Sequence, residues 1–186
     1  MVTAHYMKFV LGHHGGLDRI GGLPSHVPPV WLTSADSVAP GLVRPMRPGR
    51  AMRFLAQFYC DPMRLPLADT LCLQIYQCDP EEDPWPAFVK VPLDAQLNIE
   101  GLGIAQPGVV PHDIEWEVRS DPDEASMGDV ELAKSKTGGT CYFDGCLDPG
   151  ERLLLQLQEY PGDLNFGGYT MVLAINQQGR IRATIG

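Results

Sequence analysis

The sequence predicts an α+β fold dominated by β-sheet, with two related halves packed into one domain and few short helices. Three observations predict it. Apolar residues alternate at every second position in several stretches, the period of a half-buried strand. The 20 glycines and 17 prolines are spread along the chain, which divides it into many turns and leaves no single linker. A short pattern also recurs in the two halves. The length of 186 residues is that of one ordinary domain. With 44% hydrophobic and 20% charged residues, the composition is globular and can bury a core without disulfide or metal. We expect one domain over 1–186, with halves of about 1–92 and 93–186.

The elements follow in order. Tyr6-Met-Lys-Phe-Val-Leu11 is a candidate first strand. Gly12-His-His-Gly-Gly16 and Leu17-Asp-Arg-Ile-Gly-Gly-Leu-Pro24 come next. A glycine pair allows positive φ or close backbone approach, so Gly21-Gly22 reads as a tight corner whose exit Pro24 directs. Pro28, Pro29, Pro40, Pro45 and Pro48 keep residues 24–49 extended or turning. Residues 50–59 form the first strong strand, with Met52, Phe54, Ala56 and Phe58 on one face. Residues 61–68 hold two prolines and read as a loop, and 71–78 alternate again. Residues 88–91 are a shorter strand. Residues 93–98 fit one or two helical turns. In 114–118, Ile114, Trp116 and Val118 share a face. Residues 120–131 read as a polar surface loop with a short helix, and 137–145 repeat the glycine-corner chemistry. Asp148-Pro-Gly-Glu151 has the cap, proline and glutamate of a helix start. Leu153, Leu155 and Leu157 alternate just after it, so we assign 152–158 to a strand. Residues 169–175, a turn at 176–179, and 180–185 make a terminal hairpin.

The recurring pattern links the halves. The first reads Gly21-Gly-Leu-Pro24, then Phe54-Leu-Ala-Gln57, then Leu71-Cys-Leu-Gln-Ile-Tyr76. The second reads Gly138-Gly-Thr-Cys141, then Leu153-Leu-Leu-Gln156, then Met171-Val-Leu-Ala-Ile-Asn176. A glutamine inside an apolar strand must have its amide satisfied. Gln57 and Gln156 are therefore each expected to bond backbone of the partner half.

The net charge is -9 and the pI near 4.9. Phosphate repels such a surface, which argues against nucleic acid as a direct partner and favours a basic protein. Residues 1–53 carry six Lys/Arg against two acids, and the remainder eight against 21. One acidic cluster is Asp79-Pro-Glu81-Glu82-Asp83; the other runs from Asp113 to Glu131, eight acids opposed only by Arg119. A solvated face is the ordinary reading of such runs, and a docking patch is the sharper one. For docking we assign Asp121, Asp123, Glu124, Asp129, Glu131, Glu81, Glu82 and Asp83 as charges, with Trp116 and Trp85 as aromatic anchors. Trp31 is assigned to the core.

Catalytic and metal signatures are missing. His13-His14 point different ways and no His-Glu-x-x-His accompanies them. The five cysteines (Cys60, Cys72, Cys78, Cys141, Cys146) lack zinc-finger spacing. An odd number, with no signal peptide at the start, reads as thiols in a reducing cytosol. Ser25-His26 is mere adjacency, and no Gly-x-Ser-x-Gly, Walker or dinucleotide motif is present. No stretch approaches the ~20 apolar residues of a membrane span. We assign no catalytic residue, metal or cofactor.

Asp18-Arg-Ile-Gly-Gly-Leu-Pro24 with Trp31, Phe54-Leu-Ala-Gln57, Lys136-Thr-Gly-Gly139, Leu153-Leu-Leu-Gln-Leu157 and Asn165-Phe-Gly-Gly168 resemble, in that order, the YwqG-like bacterial family. The resemblance spans about residues 18–175. Leu32 after Trp31 and Cys141 after the second corner depart from the family's prolines. The family has no established catalytic residues to carry over. Its members look like neighbours of polymorphic toxins, so the resemblance implies a cytoplasmic immunity protein that is not an enzyme. Such a protein would occlude the active site of a cognate toxin, a nuclease being one candidate. The alternatives are a hydrolase built around the glycine corners, or a small-ligand or metal binder in the cleft between the halves.

Overall fold

The structure, a computed structural model, describes residues 1–27, 52–81, 85–101, 103, 105–125, 129–143, 145–159 and 163–186. Ten strands form one sheet: β1 (Val2–Leu11), β2 (Arg19–Ile20), β3 (Arg53–Tyr59), β4 (Thr70–Gln77), β5 (Pro86–Pro92), β6 (His112–Asp121), β7 (Lys136–Gly138), β8 (Glu151–Leu157), β9 (Met171–Asn176) and β10 (Ile181–Ile185). Every pairing between them is antiparallel, in the order β10-β9-β8-β7-β1-β6-β2-β3-β4-β5. Among the described residues there is no helix, so the fold is all-β and the expected α+β class is corrected. None, accordingly, is a helix long and apolar enough to cross a membrane.

Tertiary pairing decides residues 93–98, where the sequence is ambiguous and allows one or two helical turns. Val27 N–H donates to Gln96 O (2.9 Å) and Asn98 N–H to Ser25 O (2.8 Å). An extended partner thus takes groups that a helical turn would close internally. After β6 ends at Asp121, the described residues to 131 are bends and turns. The helix-start residues at 148–151 make a turn instead: Glu151 N–H donates to Asp148 O (3.0 Å) and Asp148 N–H to the Glu151 carboxylate (2.9 Å). The chain then enters β8, as the leucine alternation expects. The prolines from Pro28 to Pro48, Trp31, and residues 50–51 of the expected first strong strand lie outside the described residues.

The sheet carries an approximate two-fold repeat. β2-β3-β4-β5 and β7-β8-β9-β10 are matching meanders, and β1 and β6 lie antiparallel between them. β1, from the first half, borders the second meander; β6, from the second half, borders the first. Arg19 faces Gln57 on one side and Asp113 on the other, while Lys136 faces Gln156 and Tyr6. Each meander has a bulge at the same place, around Leu55 in β3 and Leu154 in β8. The corner glycines match as well, all at positive φ (Gly21 69°, Gly22 70°, Gly138 63°, Gly139 75°). A Cβ on Gly139 would strike the Asp121 carboxylate and Ala4, so this corner needs glycine for space as well as for conformation.

The glutamines are the clearest repeat. Both are fully buried. Gln57 Nε2 donates to Leu17 O (3.1 Å) and its Oε1 accepts Ser25 N–H (3.1 Å). Gln156 Nε2 donates to Lys134 O (3.0 Å) and Leu132 O (2.7 Å), and its Oε1 accepts Tyr142 N–H (3.1 Å). Each amide therefore clamps the two sides of its own glycine corner. The expected bond to the partner half is corrected: the backbone groups a corner leaves unpaired lie directly beside the strand that carries the glutamine.

The sheet curls into a nearly closed, barrel-like form around one core drawn from both halves. Ile20, Leu55, Phe58, Leu73, Ile75 and Phe88 meet Leu154, Leu155, Leu157, Phe166, Met171 and Leu173 there. Side chains fill the interior, as in small barrels. Two smaller clusters lie elsewhere, one around Phe54, Tyr76 and Val89 and the other around Cys141, Cys146, Leu153 and Val172.

Candidate functional site

The structure scatters the expected acidic patch at 113–131. Asp121 is 2% exposed and its carboxylate is 2.7 Å from Lys136 Nζ, which is itself fully buried. Asp121 also accepts from Tyr6 OH (2.6 Å) and Thr140 N–H (3.0 Å). It is therefore a structural ion and is removed from the docking set. Asp113 is buried too, holding the 13–16 loop through His14 N–H (2.6 Å), Gly16 N–H (3.0 Å) and His13 Nδ1 (3.1 Å). This also gives His13 a structural partner. Asp123 pairs with the N-terminal ammonium, and Glu131 with Arg119 and Lys134. Asp129 is half-buried and accepts Glu131 N–H, while Glu124 is exposed. Trp116, expected as a docking anchor, has internal partners. It is half-buried against the core, donates Nε1 to Asp18 (2.7 Å), and lies 4.8 Å under the Arg64 guanidinium. Trp85 is half-buried at the start of β5. Glu82 and Asp83 lie outside the described residues.

The first acidic cluster is placed differently. Asp79 and Glu81 line an open cleft of about 370 Å³ at the seam between the halves, opposite Asp163 and Asn165. Arg53 at the start of β3, Gln77 at the end of β4, and the 106–109 turn complete it. Two contacts assemble it. Gln106 N–H donates to Phe54 O (3.0 Å), laying the 105–109 segment against β3 where the short β2 no longer pairs. Gln77 Nε2 donates to Asn165 O (2.7 Å), tying the first half to the β8–β9 connection. Asp163 has φ 64°, a region aspartate tolerates better than most residues and one that marks a constrained turn. Among the described residues, no ion pair engages Asp79, Glu81 or Asp163. Gln106 lines the cleft with only 4% exposure, and its Oε1 has no hydrogen-bond partner. Sequence reasoning assigned Glu81 to docking and placed Asp79 in the same acidic cluster without assigning it, and it missed Asp163 and Gln106. Each is a single polar residue in a proline- or glycine-flanked turn, with no periodicity to single it out.

A second polar group follows the first glycine corner. His26 Nδ1 is 2.9 Å from both Ser25 Oγ and Tyr59 OH, and Gln57 Nε2 donates to Ser25 Oγ (2.7 Å). Gln74 Nε2 donates to His26 O (2.8 Å). Burial, assisted by Arg19, holds the His26 pKa below its ordinary 6.5. Burial also raises the Cys60 and Cys72 thiols to about 12, which leaves them protonated and poor nucleophiles. Cys141 and Cys146 are joined as a disulfide, which corrects the expectation of thiols at all five positions. No cluster of three or more His, Cys, Asp or Glu among the described residues could hold a metal ion. Compared with protein-family models and with curated proteins, the chain matches none.

His5 and His26 give the fold a pH dependence. Both are buried, and both have pKa values below 6.5: burial and then Arg64 lower His5, burial and then Arg19 lower His26. Above the unfolded value neither state is protonated at these sites. Below it the unfolded chain takes up protons that the folded chain resists, so stability falls on acidification until the folded values are passed. Thermal melting should therefore drop from about pH 7 to about pH 5. The drop should be shallower in His5→Gln and His26→Gln. An equal drop in both variants would assign it to other groups.

Proposed function

We propose that the chain is a cytosolic immunity protein that binds a basic toxin and occludes its active site without turnover of its own. The observation that carries this reading is the seam cleft. Carboxylates without ion-pair partners gather there, on a chain of net charge -9, while most acids of the second cluster are consumed by internal contacts. Exposed carboxylates at a concave surface accelerate encounter with a basic partner and set its orientation. The resemblance to the YwqG-like family adds the toxin context. A nuclease suits it, because a surface that holds nucleic acid is itself basic.

Co-expression with the product of an adjacent toxin-like reading frame should relieve growth arrest and copurify the two proteins. Asp79→Lys, Glu81→Lys and Asp163→Lys together should slow association by about tenfold or more at low salt. These residues are exposed, so melting should fall only by the roughly 1 kcal/mol that lysine costs at the positive φ of residue 163. If no complex forms, the reading is wrong. If the triple variant associates as fast as the parent, docking happens elsewhere.

The Ser25–His26–Tyr59 arrangement favours hydrolase chemistry as a second reading, since a neutral imidazole beside a hydroxyl is a competent general base. Turnover of an ester substrate that disappears in Ser25→Ala would establish it in place of the first.

A further inference from the structure

We infer that the seam cleft is a receptor for one arginine side chain of the bound partner. The inference rests on the immunity reading for the partner's existence, and on the cleft alone for the chemistry. Four observations converge. Asp79, Glu81 and Asp163 supply three carboxylates to the lining, against the single guanidinium of Arg53. Gln106 lines the cleft, and its Oε1 is a buried acceptor with no donor among the described residues. An orphaned buried acceptor costs free energy that a ligand N–H would recover. The volume, about 370 Å³, accommodates an extended side chain and excludes a folded element. The cleft also lies where the first half's turns meet the 163–165 connection of the second, so a group inserted there touches both halves.

Guanidinium suits this set better than ammonium. Its planar fork presents several N–H donors in fixed directions, so one head group can reach an amide oxygen and a carboxylate together. An ammonium offers three donors around one strongly hydrated point, and stripping that hydration in a partly enclosed cleft costs more. Asp79 already spends one carboxylate oxygen on Glu81 N–H (3.1 Å). Glu81, Asp163 and the remaining Asp79 oxygen are left to face the cation. Arg53 sits on the opposite account: it repels a second cation, which limits the cleft to one basic group. It also offers a donor to a backbone carbonyl of the segment carrying that group.

The test uses the full chain and N-acetyl-arginine amide, observed by the side-chain amide resonances of glutamine. The Gln106 amide should shift and saturate in the millimolar range. N-acetyl-lysine amide should bind several-fold more weakly, and the neutral citrulline analogue should not bind. Glu81→Gln with Asp163→Asn, both exposed and not needed for folding, should weaken the arginine probe about tenfold. Absence of a shift, or equal binding of citrulline, overturns the inference. If the probe binds but no toxin copurifies, the cleft chemistry stands and the immunity reading falls. If a toxin binds while the probe does not, the reverse holds.

Discussion

Lys136→Met is expected to destabilise the protein by about 3–5 kcal/mol, the cost of breaking a buried ion pair by removing one partner. Lys136 is fully buried and Asp121 is 2% exposed. Desolvation pushes the lysine pKa down, and the hydrogen bond and charge of Asp121 oppose that shift. Removing the cation leaves a buried carboxylate facing Tyr6 OH and Thr140 N–H without a counter-charge. The neutral partner should repair this. In Lys136→Met with Asp121→Asn, the amide oxygen takes the place that accepts Thr140 N–H, the amide NH2 donates to the Tyr6 hydroxyl, which turns to accept, and no buried charge remains. Urea unfolding of the two variants checks the argument. A double variant as unstable as the single one would mean that the loss comes from packing around Lys136 and not from the orphaned carboxylate.

Gln57→Leu and Gln156→Leu should each cost about 2–4 kcal/mol, because each orphans several buried backbone groups at ~1–3 kcal/mol apiece. In the first variant Leu17 O and Ser25 N–H lose their partner; in the second, Leu132 O, Lys134 O and Tyr142 N–H do. The two losses should be similar, since the clamps are equivalent. Hydrogen exchange should accelerate at Ser25 N–H in one variant and at Tyr142 N–H in the other, with the opposite corner unaffected. Unchanged melting in both variants would contradict the clamp.

Much of this architecture was legible in the residues. The alternating runs marked most of the strands, and glutamine inside an apolar strand marked a buried amide that had to be bonded. Its direction was not legible, because sequence spacing does not say which backbone lies beside a strand. Residues 93–98 were ambiguous for a related reason: the local pattern was weak, and long-range pairing with residues 25–27 decided the matter. Asp121 was misread because an acid in an acidic run looks solvated. The correcting signal was the lysine opening Lys136-Thr-Gly-Gly139, a cation in a segment otherwise suited to burial. Of the candidate site, Glu81 was assigned from the sequence, and Asp79 was visible only as its neighbour in an acidic cluster. Gln106 and Asp163 come to it through tertiary folding alone, from turns that no periodicity distinguishes.

The exchange of β1 and β6 between the meanders sets how this chain can be divided. A protein cut near residue 92 would not yield two self-sufficient pieces, since each fragment would keep a strand that belongs beside the other and lack the one it needs. A solitary copy of the repeating unit would have to borrow that strand from a twin. The present polypeptide has the geometry of such a reciprocal pair within one continuous chain.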